Sequence, residues 1–210
     1  MENVSKPIAS KLLEIGAIKI QPDQPFTWAS GWKSPIYCDN RLSLSHPEVR
    51  SYVKEKLSDL IKSTYPEAAG IAGVATAGIP QGALVADQLD LPFVYVRSKP
   101  KGHGMENLIE GKLPEGSKVV VIEDLISTGG SSIKAAQALQ KAGYEVLGLL
   151  AIFTYGFDVA SENFVKAGIE FHTLSDYPTL LDVAVEQNRI RKDTLQSLNN
   201  WQTNPADWGK

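Results

Sequence analysis

The chain has 210 residues, enough for one domain with a full core and no need of disulfide or metal staples. Its 21 Lys and Arg against 24 Asp and Glu leave a net charge of −3, which argues against a dedicated nucleic-acid partner, and its single cysteine, Cys38, excludes a disulfide framework or a multi-thiolate metal centre. The longest strongly apolar run, 146–153, falls far short of the roughly 20 residues that span a bilayer, and the first seven residues lack a signal-peptide layout, so a soluble cytoplasmic protein with no membrane partner is expected.

Residues 5–15 predict a first helix, with Ile8, Leu12, Leu13 and Ile15 on one stripe and Gly16 ending it. From 18 to 45 the character changes. Pro22, Pro25 and Pro35 punctuate short aromatic pieces, Phe26-Thr27-Trp28 and Ile36-Tyr37-Cys38, that read as an irregular hood. Residues 1–45 are therefore taken as N-terminal helix and hood, and 46–210 as a core within one structural domain. There a helix over about 46–63 leads to a strand at 70–75, a helix at 79–90 and a strand at 93–97. The polar segment 98–116 carries Pro100, Gly102, Gly104, Gly111 and Pro114, and so long a loop inside a compact domain is usually functional. Residues 118–123 are apolar on both faces, as a central parallel strand requires. A helix at 130–142 closed by Gly143, a strand at 145–153, a helix at 158–167 and a strand at 170–174 follow. Two polar helical pieces and a loose tail over 204–210 finish the chain. The fold class is α/β, a mainly parallel central sheet flanked by helices with a small N-terminal hood.

Chemistry concentrates in 119–132, where the strand Val119-Val120-Val121-Ile122 runs into Glu123 and Asp124 and then into Leu125-Ile126-Ser127-Thr128-Gly129-Gly130-Ser131-Ser132. The carboxyl edge of a parallel sheet is where ligands bind. The turn from Ser127 to Ser131 presents backbone N–H groups and hydroxyls at a helix start, which suits a phosphate, and its glycines let the backbone come close. Two acids beside an anion site conflict unless the ligand carries hydroxyls as well as phosphate. A phosphorylated ribose has that layout: the carboxylates accept its hydroxyl hydrogen bonds and stabilise positive charge developing at the anomeric carbon. A P-loop partner, G-x-x-x-x-G-K-[ST], and a G-x-G-x-x-G dinucleotide fingerprint in strand–helix context are both missing. A plain helix cap would explain one hydroxyl but not the whole string.

Residues 119–132 resemble the phosphoribosyl-pyrophosphate signature of the type I phosphoribosyltransferases. Nearly all of the rest is similar to the orotate-specific members of that family, through Phe26-Thr27-Trp28-Ala29-Ser30-Gly31-Trp32-Lys33-Ser34-Pro35-Ile36-Tyr37, the loop Arg97-Ser98-Lys99-Pro100-Lys101-Gly102-His103-Gly104, and Ile109-Glu110-Gly111. The resemblance implies transfer of ribose 5-phosphate from phosphoribosyl pyrophosphate to orotate in pyrimidine synthesis. It also implies magnesium, held mainly by the substrate pyrophosphate and ribose hydroxyls, and a homodimer with shared active sites. Residue by residue, Glu123 and Asp124 match the acids that hold the ribose hydroxyls, and Leu125, Ile126, Ser127, Thr128, Gly129, Gly130 and Ser131 match the strand end and 5-phosphate cradle. Arg97, Lys101 and His103 match pyrophosphate contacts. Ser127, Tyr37, Cys38 and Tyr155 fall at the orotate end, Tyr155 where some members carry an arginine. Lys101, His103 and Asp124 are the catalytic candidates.

The chemistry supports the loop independently, because departing pyrophosphate calls for cations in a water-excluding site, on a loop able to close. His46, His103 and His172 lack ligand spacing, so no protein-built metal site is expected. Alanines stand at 29 and 77 where some members have lysines. Two rival readings remain at this stage, a purine phosphoribosyltransferase and a non-catalytic phosphoribosyl sensor.

Overall fold

The structure is a computed structural model and describes residues 4–28, 31–99 and 108–208. The chain opens with α1 (Ser5–Glu14), whose Ile8, Ala9, Leu12 and Leu13 form a buried stripe at helical spacing. The hood is two short antiparallel ribbons: β1 (Ile18–Ile20) pairs with β4 (Ile36–Cys38), and β2 (Phe26–Thr27) with β3 (Lys33–Ser34). A 3-10 helix, Asn40–Ser45, connects it to the core.

The core runs through α2 (Pro47–Thr64), β5 (Gly70–Val74), α3 (Gly78–Leu89), β6 (Phe93–Val96), β7 (Ile109–Glu110) and β8 (Lys118–Ile126). It continues through α4 (Gly130–Lys141), β9 (Glu145–Thr154), α5 (Asp158–Ala167), β10 (Phe171–Asp176), α6 (Tyr177–Glu186) and α7 (Leu195–Thr203). One sheet takes the order β10-β9-β8-β5-β6-β7, parallel except for β7. Two apolar faces explain why the central strands are continuously hydrophobic. Val120 and Ile122 of β8 with Leu150 and Ile152 of β9 join a cluster with α1, α2, α3 and α6, whereas Val119, Val121, Leu149 and Ala151 pack with α4 and α5. From β5 the chain first winds outward to β6 and then returns to β8 on the other side. The order therefore reverses between β5 and β8, and at such a switch point the strand ends leave a crevice for ligand.

Glycine makes the α3 side of that crevice. A Cβ on Gly78 would fall on the carbonyl oxygen of Ile122, and one on Gly73 would lie 2.8 Å from the carbonyl oxygen of Gly78, so α3 sits against β5 and β8 closer than any side chain allows.

Three elements depart from the sequence expectations. β7 adds an antiparallel edge inside a segment read wholly as loop, because two residues are too few to show periodicity. The first C-terminal helical piece is not polar: Tyr177, Leu180, Leu181, Val183 and Ala184 of α6 are buried, and α6 packs on α1. In α7, Leu198 and Trp201 are fully buried among exposed or half-buried residues, and the tail is not loose over its described residues, since the Trp208 indole N–H donates to the Ser197 carbonyl at 3.1 Å.

Candidate active site

The two acids leave β8 at the switch point in different environments. Glu123 is only 5% exposed; one of its carboxyl oxygens accepts the Asp124 N–H at 3.0 Å and the other accepts the Ser132 hydroxyl at 3.1 Å. Burial pushes its carboxyl well above the ordinary range, and the neighbouring Asp124 charge pushes in the same direction. Asp124 is half-buried, and its carboxyl is also raised by burial, with the Arg41 guanidinium pulling the other way. Arg41 is itself held by Asp39 through two contacts, Nε at 2.6 Å and Nη2 at 2.9 Å.

Beyond the acids the backbone turns into α4, and its shape is fixed from behind. The Ile126 carbonyl accepts the Thr154 hydroxyl at 3.1 Å and the Tyr155 N–H at 3.2 Å, while the Asn163 side-chain amide donates to the Thr128 carbonyl at 3.0 Å. Gly129 has φ +79°, the left-handed region, and a Cβ there would stand 2.6 Å from Phe164 Cε2. With the carbonyls tied back and Gly130 and Ser131 exposed, the turn offers its N–H groups and the start of a 12-residue helix to an anion. Gly129→Ala is expected to cost about 2–3 kcal/mol, from the positive φ and the clash with Phe164, and to weaken binding of an anion at the turn. A urea unfolding midpoint unchanged from the parent would contradict this.

Arg97 directly follows β6, across β5 from the acids. Its Nη1 lies 3.3 Å from Glu110 Oε1, and its N–H donates to the Leu108 carbonyl at 2.7 Å. It faces the turn over a cavity of about 400 Å³ whose lining also includes Ala75, Ser98, Gly130, Ser131 and Lys134. Lys134 was missed in the sequence, although its spacing of four from Gly130 places both on one helical face. Lys101 and His103 lie outside the described residues.

At the hood end, Tyr37 is exposed and its ring lies 5.6 Å from that of Phe26, while the half-buried Cys38 thiol reaches Asn40 Oδ1 at 3.4 Å. Burial pushes the Cys38 thiol well up, as do the charges of Asp124 and Asp39, so it is a poor nucleophile. Tyr155 is 3% exposed, its ring walled by Trp28 at 5.2 Å, Phe157 at 5.4 Å and Trp201 at 5.6 Å. Its phenol is pushed well up by burial first and then by Cys38 and Asp124, which sets it electrostatically in the same group as the hood and the acids. Glu123, Asp124, the 127–131 turn, Tyr37, Cys38 and Tyr155 thus gather at one sheet edge, with Arg97 across the crevice.

A second concavity, of about 380 Å³, lies between the hood and the C-terminal segment, lined by Gln21, Pro22, Arg189 and Arg191 among others. Neither Glu123, Asp124 nor the 127–131 turn lines it; its one acid is Asp23. Both arginines have partners, Arg189 in Gln187 and the Leu13 carbonyl and Arg191 in Asp193.

Residues 44–168 match the phosphoribosyl transferase domain family. The curated orotate phosphoribosyltransferase of Cytophaga hutchinsonii is 58% identical over 208 residues, spanning 99% of this chain and 100% of that protein. The orotate phosphoribosyltransferase of Bacillus subtilis is 58% identical over 205 residues, 97% of this chain and 95% of that one. Among solved structures, the orotate phosphoribosyltransferase from Aeropyrum pernix superposes with a TM-score of 0.77 at 29% identity, covering 88% of this chain and 99% of that chain.

Proposed function

The chain belongs to the phosphoribosyltransferase family and, within it, to the orotate phosphoribosyltransferases, and from that premise we propose how its own residues divide the reaction. It transfers ribose 5-phosphate from phosphoribosyl pyrophosphate to a ring nitrogen of orotate, giving orotidine 5′-monophosphate and pyrophosphate for pyrimidine synthesis. The observation that carries this is one continuous strand–turn–helix piece that sets two carboxylates beside an anion turn at the switch point, in a chain similar over its full length to orotate phosphoribosyltransferases.

In the proposed complex, the 127–131 turn holds the 5-phosphate while Glu123 and Asp124 accept the ribose hydroxyls. As the bond from the anomeric carbon to pyrophosphate breaks, its electron pair leaves with pyrophosphate and the sugar gains oxocarbenium character. The carboxylate of Asp124 stabilises that charge. Arg97, Lys101 and His103 meet the negative charge growing on the leaving group. Ser127, Tyr37, Cys38 and Tyr155 border orotate, whose ring nitrogen supplies the pair for the new bond and passes its proton to water or to the released pyrophosphate.

The donor set fits magnesium carried by the substrate. Among the described residues no group of three or more His, Cys, Asp or Glu side chains is placed to hold a metal ion by itself, and Mg²⁺ ordinarily combines substrate phosphates and waters with one or two carboxylates. When bound, the metal neutralises pyrophosphate charge. The proposal includes a homodimer with shared sites, working in the cytoplasm; no helix among the described residues is long and apolar enough to cross a membrane.

The test is the loss of orotate ultraviolet absorbance on adding phosphoribosyl pyrophosphate and magnesium. No loss with orotate, together with turnover of a purine base, would overturn the substrate; no turnover with any base would favour a sensor. Lys101→Ala is expected to lose turnover far more than phosphoribosyl pyrophosphate binding, and unchanged turnover would remove its role on the leaving group.

A further inference from the structure

Asn40 joins the hood to the end of β8 through a buried polar chain that the reaction as described does not use. Its side chain is 1% exposed, and Nδ2 donates to the main-chain carbonyl of Asp124 at 2.7 Å, across 84 positions of sequence. The orientation of the amide follows from chemistry, because a carbonyl only accepts, and Oδ1 is left to take the Cys38 thiol. The main-chain carbonyl of Asn40 accepts the Ser43 hydroxyl at 2.6 Å, and Ser43 Oγ accepts Gln81 Nε2 from α3 at 3.0 Å. Ser43 and Gln81 are 0% and 1% exposed, so three separate elements meet in a network that is buried at its centre and half-buried at its Cys38 and Asp124 ends.

The place of this bond matters. β5 pairs with β8 only as far as Gly73 opposite Ile122, and β5 ends at Val74. Among the described residues that edge of β8 has no ladder partner past Ile122, yet this is where Glu123 and Asp124 must be held. Asn40 supplies the donor that a neighbouring strand would have supplied.

We propose that Asn40 is a positioning residue that fixes the Asp124 end of β8 and keeps the hood's Tyr37–Cys38 segment and the ribose-facing acids in one register. The inference rests on the role given to Asp124 in the proposed function. A displaced carboxylate still meets the ribose hydroxyls in the ground state but is out of place for the charge that develops later. Errors of about 1 Å at such sites cost up to about a hundredfold in rate.

The experiment is a double-mutant cycle on the full chain with Asn40→Ala, Asp124→Asn and the pair, reading kcat and KM for both substrates together with thermal midpoints. Asn40→Ala is expected to lower kcat about tenfold or more, with KM for phosphoribosyl pyrophosphate changed by less than about threefold. In the pair, the Asn40 substitution should add less than about twofold to the loss caused by Asp124→Asn, because Asn40 acts through that carboxylate. Losses that multiply, a kcat unchanged in Asn40→Ala, or a change confined to KM would each overturn the inference while leaving the proposed function standing. Wild-type turnover in Asp124→Asn would instead remove the role of Asp124, and the inference with it. If Asn40→Ala does not fold, Asn40→Leu, which keeps much of the volume and removes the donor without adding a charge, takes its place in the same cycle.

Discussion

Asp124→Asn is expected to lower kcat for orotate by about a hundredfold, the usual cost of removing one preorganised charge from a transition state. The substitution is close to isosteric. It leaves the Asp124 main-chain carbonyl, and so the bond from Asn40, untouched. Burial of a carboxyl whose pKa is already raised means that the neutral amide is no harder to fold, so the thermal midpoint holds or rises. Ground-state binding of phosphoribosyl pyrophosphate falls much less than turnover, since an amide oxygen still accepts one hydroxyl. Steady-state kinetics with orotate absorbance checks this, and a kcat within about threefold of the parent would be incompatible with charge stabilisation at Asp124. A pH effect accompanies it. Both acids act as carboxylates and both are raised by burial, so the acid limb of the rate profile lies above the 4.5 of an ordinary glutamate.

The contrast between Asp124 and Asn40 shows what a linear reading can reach. Strand, acids, turn and helix in β8 and α4 are contiguous, and each residue type there has a local reason: apolar strand on both faces, glycine at φ +79°, hydroxyls at a helix start. Such a segment is legible because its chemistry is assembled by neighbours in sequence. The bond from Asn40 spans 84 positions, and a lone asparagine after a cysteine and an aspartate carries no periodicity to betray it. Trp201 was hidden for the same reason. It is a single aromatic among Asn199, Asn200 and Gln202, and only tertiary packing against Trp28, Tyr155 and Tyr177 makes it part of the core. Gln202, whose side-chain amide donates to the Tyr155 carbonyl at 2.9 Å, was equally invisible. Long-range pairs between isolated residues build the hood end of the crevice, whereas a local string builds the acids and the turn.

Glu123→Gln should separate stability from activity. The glutamate carboxyl is nearly enclosed and its folded-state pKa lies well above the ordinary 4.5, raised by burial first and by Asp124 second. Between the ordinary value and the raised one the native protein binds more protons than the unfolded chain. Stability therefore falls as pH climbs through that window, and the deficit persists above it. A glutamine carries no such penalty. Its Oε1 can accept the Asp124 N–H and its Nε2 can donate to Ser132 Oγ, so both present hydrogen bonds keep a partner. The expected gain at about pH 7.5 is roughly 1 kcal/mol or more, a rise of some 2–4 °C in Tm for a chain of this size, and it shrinks to nothing near pH 4. Over the same substitution kcat falls by about tenfold to a hundredfold, because the acid that assists Asp124 at the ribose no longer carries charge. Thermal melts at the two pH values, with kcat measured alongside, check both halves. A variant less stable at pH 7.5 than at pH 4 relative to the parent would reverse the sign of the linkage and show that the glutamate is stabilising as an anion.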